Sequence, residues 1–140
     1  MTSQQEQDVH QQGVTGLTRE GALCAAEAAL DKKAQNIILL DVSQLTTCAD
    51  YFLICSGHSP TQVKAIVFNI EQALKERGTR PLHIEGQSEA RWVLMDYDEL
   101  IIHVFHENAR EFYDLERLWK DAPCTTFEDP TEAAPDFSIP

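Results

Sequence analysis

The sequence predicts an α/β fold in which a mixed sheet is flanked by helices. Three observations indicate it: short apolar, β-branched runs of strand length, longer segments with apolar residues at helical spacing, and the alternation of the two along the chain. The predicted order is α-β-β-α-β-β-β-α, with one antiparallel hairpin. At 140 residues, of which 43% are apolar, the chain is long enough to bury one core and too short for two ordinary domains.

The first helix and the two strands after it are predicted from their apolar patterns. The helix spans residues 18–34, with Thr18 as its N-cap and apolar residues at helical spacing. Residues 36–42 (NIILLDV) and 51–56 (YFLICS) are short apolar runs, which predict buried strands. The polar segment between them predicts a connecting loop.

The second helix has the clearest boundaries in the sequence. Ser59 is predicted as its N-cap, Pro60 occupies the first helical position, and Gln62 completes a capping box. Apolar residues at helical spacing over 63–74 predict one buried stripe. Gly78 is predicted to end the helix in the left-handed conformation that glycine adopts readily.

Three strands are predicted after this helix, and the last two form a hairpin. Residues 81–84 predict a short edge strand, where a proline is tolerated. Residues 92–96 (WVLMD) and 99–105 (ELIIHVF) are so close that only a tight turn, centred on Tyr97 and Asp98, can join them.

The predicted hairpin register pairs Asp96 with Glu99. This pairing places Trp92 opposite His103 on one face of the sheet. Because both faces are apolar near the middle of the hairpin, these strands are predicted to be central and covered on both sides.

A last helix is predicted over residues 108–120, with Asn108 as its N-cap and Glu111 at the third position. Its apolar residues share one helical face and are expected to lie in the core; they are Phe112, Leu115, Leu118 and Trp119. Trp119 fits this core less well than the others because a tryptophan near a helix end is often partly exposed, and Tyr113 and Glu116 lie on the flank of the apolar face. Aromatic groups ringed by acids are typical of an interface with a basic partner.

The ends of the chain and its charge set the expected boundaries and partner. Residues 1–16 are polar and glutamine-rich, residues 123–140 are acidic and proline-rich, and both are predicted to be disordered around a folded domain at 17–122. The net charge is -12, and outside the tails 17 acidic residues face 11 basic ones. Without a basic stripe, direct nucleic-acid binding is disfavoured, and a basic protein surface is a better target. The alternative is that acidity only keeps the protein soluble.

Targeting, membrane and metal signals are not found in the sequence. No apolar run reaches about 18 residues and the N-terminus has no basic region, so a soluble cytoplasmic protein is expected. The cysteines (Cys24, Cys48, Cys55 and Cys124) lack C-x-x-C spacing and are expected to be buried, reduced thiols. His103 and His106 would point to opposite faces of a strand, so neither a metal nor another cofactor is predicted.

Two enzymatic alternatives can be drawn from the same residues. The loop at 56–60 (SGHSP) with Asp96 and Asp98 could serve a nucleotidyltransferase, in which a small-residue loop holds a triphosphate and two carboxylates hold Mg²⁺. However, no lysine or arginine lies in residues 56–63 to balance the phosphate charge, and Asp98 is typical of a turn. A serine hydrolase using Ser56 or Ser59 is disfavoured because G-x-S-x-G is missing.

Three ordered segments resemble one known family. ADYFLICSGHSPTQVKAI, IEGQSEARWVLMDYDELIIHVF and REFYDLERLWKDA are similar to the signature of the ribosomal silencing factor family, also called Iojap-related, over about residues 18–122. The resemblance implies a nucleotidyltransferase-like topology without the catalytic site, no enzymatic activity and no cofactor. It also implies binding to large-subunit ribosomal protein fourteen, which blocks joining of the ribosomal subunits and represses translation when nutrients are limiting. Homodimers are compatible with the family.

The resemblance also supplies candidate partner-binding residues, without separating contacts from framework. They are Glu85, Trp92, Asp96, His103, Phe105, Tyr113, Glu116 and Trp119. The sequence departs from the family pattern in two places. Pro60 and Thr61 replace a residue that is often basic, and Asp98 stands where the hairpin turn often has glycine.

Overall fold

The structure, a computed structural model, describes residues 18–127. Helix α1 covers residues 18–31 of this part. The elements that follow are β1 (Gln35–Asp41), β2 (Tyr51–Gly57), α2 (Pro60–Glu76), β3 (His83–Glu85), β4 (Trp92–Asp96), β5 (Leu100–His106), α3 (Glu107–Tyr113), α4 (Leu115–Leu118) and β6 (Cys124–Phe127). The disordered tails predicted for 1–16 and from 128 onward lie outside the described residues.

The six strands form one mixed sheet in the order β3-β4-β5-β2-β1-β6. β2 and β5 are parallel at its centre, and the other neighbouring strands are antiparallel. A parallel pair needs a long crossover connection, and α2, β3 and β4 lie within it. The predicted α/β class, with a mixed sheet flanked by helices, is confirmed.

Helices α1 and α2 pack on one side of the sheet, which we call the helix-covered face. In α2, Val63, Ile66 and Ile70 are fully buried, as are Leu53 and Ile102 from the central strands. The buried residues of α1 are alanines, whose small side chains let two helices and a sheet approach closely; they are Ala22, Ala25, Ala26, Ala28 and Ala29. This face contains most of the apolar core.

The predicted limits of α2 are confirmed. Ser59 Oγ accepts a hydrogen bond from Gln62 N at 3.1 Å, Pro60 is the first helical residue, and Gly78 has φ +83° just after the C-cap. The Gln62 side chain differs from a simple capping box: its Oε1 accepts from His58 N at 2.6 Å. Its Nε2 donates to the carbonyls of Lys32 and Lys33, which ties the end of α1 to the start of α2.

Helix α1 ends three residues earlier than predicted, and Thr18 does not occupy the predicted N-cap position. Thr18 is itself helical, and its hydroxyl donates to Glu99 Oε2 at 3.1 Å. The helix ends at residue 31 because Lys33 adopts φ +65° and turns the chain into β1.

The predicted hairpin register is wrong by two residues. Asp96 pairs with Ile101, not with Glu99, and Trp92 therefore pairs with Phe105. The turn is displaced by one residue: Tyr97 N donates to Leu100 O at 2.9 Å, so its centre is Asp98 and Glu99 in place of Tyr97 and Asp98, and Asp98 adopts φ +74°. Because side chains alternate along a strand, a shift of two residues keeps every side chain on its predicted face.

The predicted single helix over 108–120 is also wrong. Asp114 is left-handed, with φ +50°, and splits the segment into α3 and α4. The cap of α3 is His106, whose Nδ1 accepts from Asn108 N at 3.3 Å. Once the helix is broken, helical spacing no longer places residues on one face. Phe112 and Leu118 are 77% and 76% exposed, contrary to the expected core positions.

Strand β6 corrects the predicted boundary at 123. Its four residues lie in the segment predicted to be a disordered tail, but they pair with β1 from Ile37↔Phe127 to Leu40↔Cys124. The local sequence, CTTF, carries little strand pattern. The strand forms because β1 offers backbone donors and acceptors along its free edge.

Candidate functional site

The second side of the sheet is covered only in part. Under β1 and β2, α4 and its neighbours bury Leu40, Phe52 and Ile54. Farther along the same side, residues of β3, β4 and β5 keep contact with solvent; we call this surface the open face, formed by Glu85, Trp92, Leu94, Asp96 and Ile101. The prediction that the hairpin strands are covered on both sides is therefore wrong for this surface.

Aromatic rings form a continuous series of contacts along the open face and the adjoining segment α3–α4. The centroid distances are 5.1 Å for Phe112–Tyr113, 4.8 Å for Tyr113–Trp92, 6.0 Å for Trp92–His103, 5.1 Å for His103–Phe52 and 5.0 Å for Phe52–Trp119. Phe105 stacks under Trp92 at 5.0 Å. A rigid aromatic surface of this kind is suited to protein contacts, since such rings bury large area with little loss of conformational freedom.

Trp92 and His103 are joined by a hydrogen bond. Trp92 Nε1 donates to His103 Nδ1 at 3.1 Å. His103 is only 4% exposed, and burial lowers the pKa of its ring to about 4. The imidazole is therefore neutral at physiological pH.

Carboxylates line the outer edge of the open face. His83 contacts Glu85 through Nε2 at 2.7 Å and faces Asp96 through Nδ1 at 3.7 Å. Asp96 also accepts from Asp98 N at 2.8 Å, so one carboxylate both holds the hairpin turn and adds charge to the edge. This edge is suited to a cationic partner.

Arg110 forms a buried clamp that sequence reasoning missed. Its guanidinium donates to Asn36 O at 2.7 Å, to Ser56 Oγ at 2.8 Å and to Glu116 Oε2 at 3.0 Å. The carbonyl of Asn36 is available because β1 contains a register shift there. These partners are as far as 74 residues away in sequence, and no local pattern indicates such a contact.

The structure divides the eight predicted partner-binding residues into groups. Glu85, Trp92 and Asp96 lie on the open face, and Tyr113 is 47% exposed beside Trp92. The remaining four residues are framework or largely covered. His103 and Phe105 are buried, which places them with the framework. Glu116 is held by Arg110, and Trp119 is partly buried against Phe52.

The candidate contacts that the sequence missed are apolar. Leu94 and Ile101 are partly exposed on the open face, and Phe112 and Leu118 project from α3 and α4. The resemblance singled out polar and aromatic motif residues, so nothing in the sequence marked the aliphatic residues Leu94 and Ile101 as candidate contacts. Phe112 and Leu118 are exposed because the left-handed Asp114 separates α3 from α4. An aspartate in the sequence does not by itself predict such a break.

A small cavity of about 280 Å³ adjoins the rings of Trp92 and Tyr113. Its lining residues are Gly86, Ser88, Glu89, Arg91, Trp92 and Tyr113. Gly86 adopts φ +84°, and a Cβ at this position would lie 2.2 Å from the carbonyl oxygen of Trp92. Any larger residue would push this loop away from β4. Glycine is therefore required for the cavity to keep its shape.

The geometry does not support the nucleotidyltransferase alternative. Asp96 pairs with Ile101, which lies beside Phe52 near the start of β2, whereas the loop follows Gly57 at the other end of that strand. At the rise of a β-strand, the carboxylates and the loop are about 17 Å apart along the sheet. In addition, the loop amide of His58 is already bonded to Gln62. A metal ion held by Asp96 and Asp98 could therefore not contact a phosphate bound at the 56–60 loop.

The cysteines differ from their expected burial. Cys55 is buried, and burial raises the pKa of its thiol to about 12. Cys24 is partly buried, while Cys48 and Cys124 are exposed because they lie in a loop and on the edge strand β6. Within residues 18–127, no group of three or more histidine, cysteine or carboxylate side chains is arranged to hold a metal ion.

A helix that crosses a membrane must be long and predominantly apolar. In the part of the chain that the structure covers, no helix combines the length and the apolar character needed to span a bilayer.

Comparison with known proteins links this architecture to one family. A family model described as "Ribosomal silencing factor during starvation" matches residues 17–138. A Bacillus subtilis protein named "Ribosomal silencing factor RsfS" is 48% identical over 99 residues, which cover 71% of this chain and 84% of the relative. A Halalkalibacterium halodurans protein of the same name is 41% identical over 104 residues, covering 74% and 89%.

More distant matches extend the comparison to a eukaryote and to a solved structure. A mouse protein named "Mitochondrial assembly of ribosomal large subunit protein 1" is 32% identical over 91 residues, covering 63% of this chain and 40% of the mouse protein. A crystal structure of a Chromobacterium violaceum protein has a TM-score of 0.72 and 36% identity, covering 74% of this chain and 86% of the other. The motifs, the fold and these matches agree: the chain belongs to the ribosomal silencing factor family.

Proposed function

We propose that this protein silences ribosomes by binding the large subunit through its open face. In this proposal the partner is large-subunit ribosomal protein fourteen, and the bound protein sterically blocks joining of the small subunit, so that cytoplasmic translation is repressed when nutrients are limiting. The observation that carries the proposal is the family match over residues 17–138, whose description names ribosomal silencing during starvation. The name of the mouse relative, which refers to the ribosomal large subunit, supports the choice of subunit.

The open face has the properties that such an interface needs. Partly exposed Trp92, Leu94 and Ile101 offer apolar surface, and they lie on paired strands whose backbone is fixed by the sheet. A rigid surface loses little conformational entropy on binding. Glu85 and Asp96 at its edge supply negative charge for a basic partner.

Steric exclusion of the small subunit requires that the bound protein be large enough and correctly placed, and it requires no catalytic residue. The helix-covered face lies on the other side of the sheet, and α1 and α2 would project away from the bound surface. We therefore propose that the protein acts without catalysis, and that its bulk above the binding site excludes the second subunit.

The test is cosedimentation of the full-length protein with isolated large subunits. We expect the wild type to pellet with them, to pellet less at higher salt because charge contributes to docking, and to reduce the yield of joined ribosomes when small subunits are added. Leu94→Lys places an ammonium group on the open face and is expected to weaken pelleting about tenfold, which corresponds to about 1.4 kcal/mol.

Phe68→Lys is the matched control. Phe68 is 62% exposed on the outer surface of α2, so the same kind of substitution is made away from the open face. This variant should pellet like the wild type. Wild-type protein that stays in the supernatant at low salt would refute large-subunit binding. Normal pelleting of Leu94→Lys would show that the open face is not the contact surface.

A further inference from the structure

One ring nitrogen of His103 is used by Trp92, and the other has no partner. Trp92 Nε1 donates to His103 Nδ1 at 3.1 Å. An indole N–H can only donate, so Nδ1 must be the unprotonated acceptor and the ring proton lies on Nε2. Among residues 18–127, Nε2 of His103 has no hydrogen-bond partner although it is buried.

This arrangement is unfavourable for stability alone. A buried N–H without an acceptor loses its hydrogen bonds to water, a cost that an apolar ring at the same position would not have. His103 is packed between aromatic neighbours, with Phe52 edge-on at 5.1 Å and Phe105 nearly parallel at 6.3 Å. Phenylalanine would suit that environment at least as well. The property that histidine adds is the acceptor for Trp92.

The acceptor fixes the orientation of a partly exposed ring. Trp92 stacks on Phe105 at 5.0 Å and contacts Tyr113 at 4.8 Å, but these apolar contacts do not determine which edge of the indole faces inward. The hydrogen bond to His103 selects the orientation with Nε1 inward. The benzene edge of the indole is then the part available at the open face.

We propose that His103 is a positioning residue: by accepting the Trp92 indole N–H, it presets the orientation in which Trp92 meets the ribosomal partner. The inference rests on the proposed function, since it assigns a role within the same surface. Its energetic basis is preorganisation, because a ring already held in its bound orientation loses less freedom on binding.

Two substitutions separate positioning from packing. His103→Phe keeps a ring and removes the acceptor, whereas His103→Asn keeps an acceptor near the position of Nδ1 and removes ring volume. We expect His103→Phe to be at least as stable to urea as the wild type and to cosediment with large subunits about tenfold more weakly. His103→Asn should be less stable, yet should bind within about threefold of the wild type. If His103 had a purely structural role, binding would follow stability. The more stable His103→Phe would then bind better than the less stable His103→Asn, the reverse of what we expect.

A second measurement uses the free protein, so that it does not depend on the partner. In NMR spectra the Trp92 indole proton should exchange slowly with solvent in the wild type and in His103→Asn, and at least tenfold faster in His103→Phe. If His103→Phe does not fold, His103→Leu replaces it as the acceptor-free variant. Equal exchange in all variants, or normal binding of the acceptor-free variant, would overturn the inference. Failure of the wild type to pellet, with the exchange difference intact, would instead refute the proposed function.

Discussion

The two faces of the sheet are built from the same strands and differ in what covers them. On the helix-covered face, the side chains of the central strands meet two long helices and are fully buried. On the open face, Trp92, Leu94 and Ile101 are covered only in part and keep contact with solvent. One strand therefore contributes to the core with one set of side chains and leaves part of the other set accessible for the proposed binding surface. If the proposed function is correct, alternation along β4 and β5 separates side chains that stabilise the fold from side chains that bind the partner.

Neighbouring isoleucines in β5 give the largest test of this separation. Ile102 is fully buried on the helix-covered face, and Ile101 is partly exposed on the open face. We expect Ile102→Ala to lower the free energy of unfolding by about 2–5 kcal/mol because it leaves a cavity. Ile101→Ala should lower it by about 1 kcal/mol and weaken large-subunit binding instead. Urea titration and cosedimentation check both; equal losses of stability would show that the open face is core.

A pH titration tests the buried part of the open face. The pKa of His103 is lowered from its ordinary value to about 4, so between these values the unfolded chain binds a proton that the folded chain does not. Stability due to this group is therefore complete above about pH 6.5 and falls as the pH decreases. Between pH 7 and pH 5 we expect a loss of about 2 kcal/mol in the wild type that is missing in His103→Phe. Parallel pH profiles would mean that His103 is accessible to protons in the folded state.

A charge reversal tests which acids belong to the framework. Glu116 lies beside the open face but is bonded to the buried Arg110. Glu116→Lys should destabilise the fold by about 2 kcal/mol, because Arg110 loses a charged partner and gains a like charge. Glu111→Lys, an exposed reversal in the neighbouring α3, is the control and should change stability by less than about 0.5 kcal/mol. If the two variants unfold at the same urea concentration, the clamp contributes little.

Local sequence was sufficient where a few neighbouring residues determine the structure. The boundaries of α2 follow from Ser59, Pro60 and Gly78, and all three behave as predicted. The faces of β4 and β5 follow from alternation, which is why a register error of two residues left them unchanged. The family was recognisable because three motifs keep their order and spacing.

Features that depend on distant contacts could not be predicted in this way. The register of the hairpin depends on the left-handed Asp98, at which the displaced turn begins. The break at Asp114 positions Glu116 for Arg110, whose other partners lie in β1 and β2. The burial of His103 and Phe105, two of the candidate partner-binding residues, depends on how Trp92 and Phe52 cover them. In each case the deciding partner is remote in sequence or adopts an unusual backbone conformation.

The position of β6 has a consequence for how the protein is made. Leu40 pairs with Cys124, which lies more than eighty residues later in the chain. The outer edge of β1 therefore stays unpaired during synthesis until β6 has emerged. Contacts between such distant segments form slowly. A nascent chain would therefore expose an unpaired strand edge until residues 124–127 emerge, and only then could the sheet be completed.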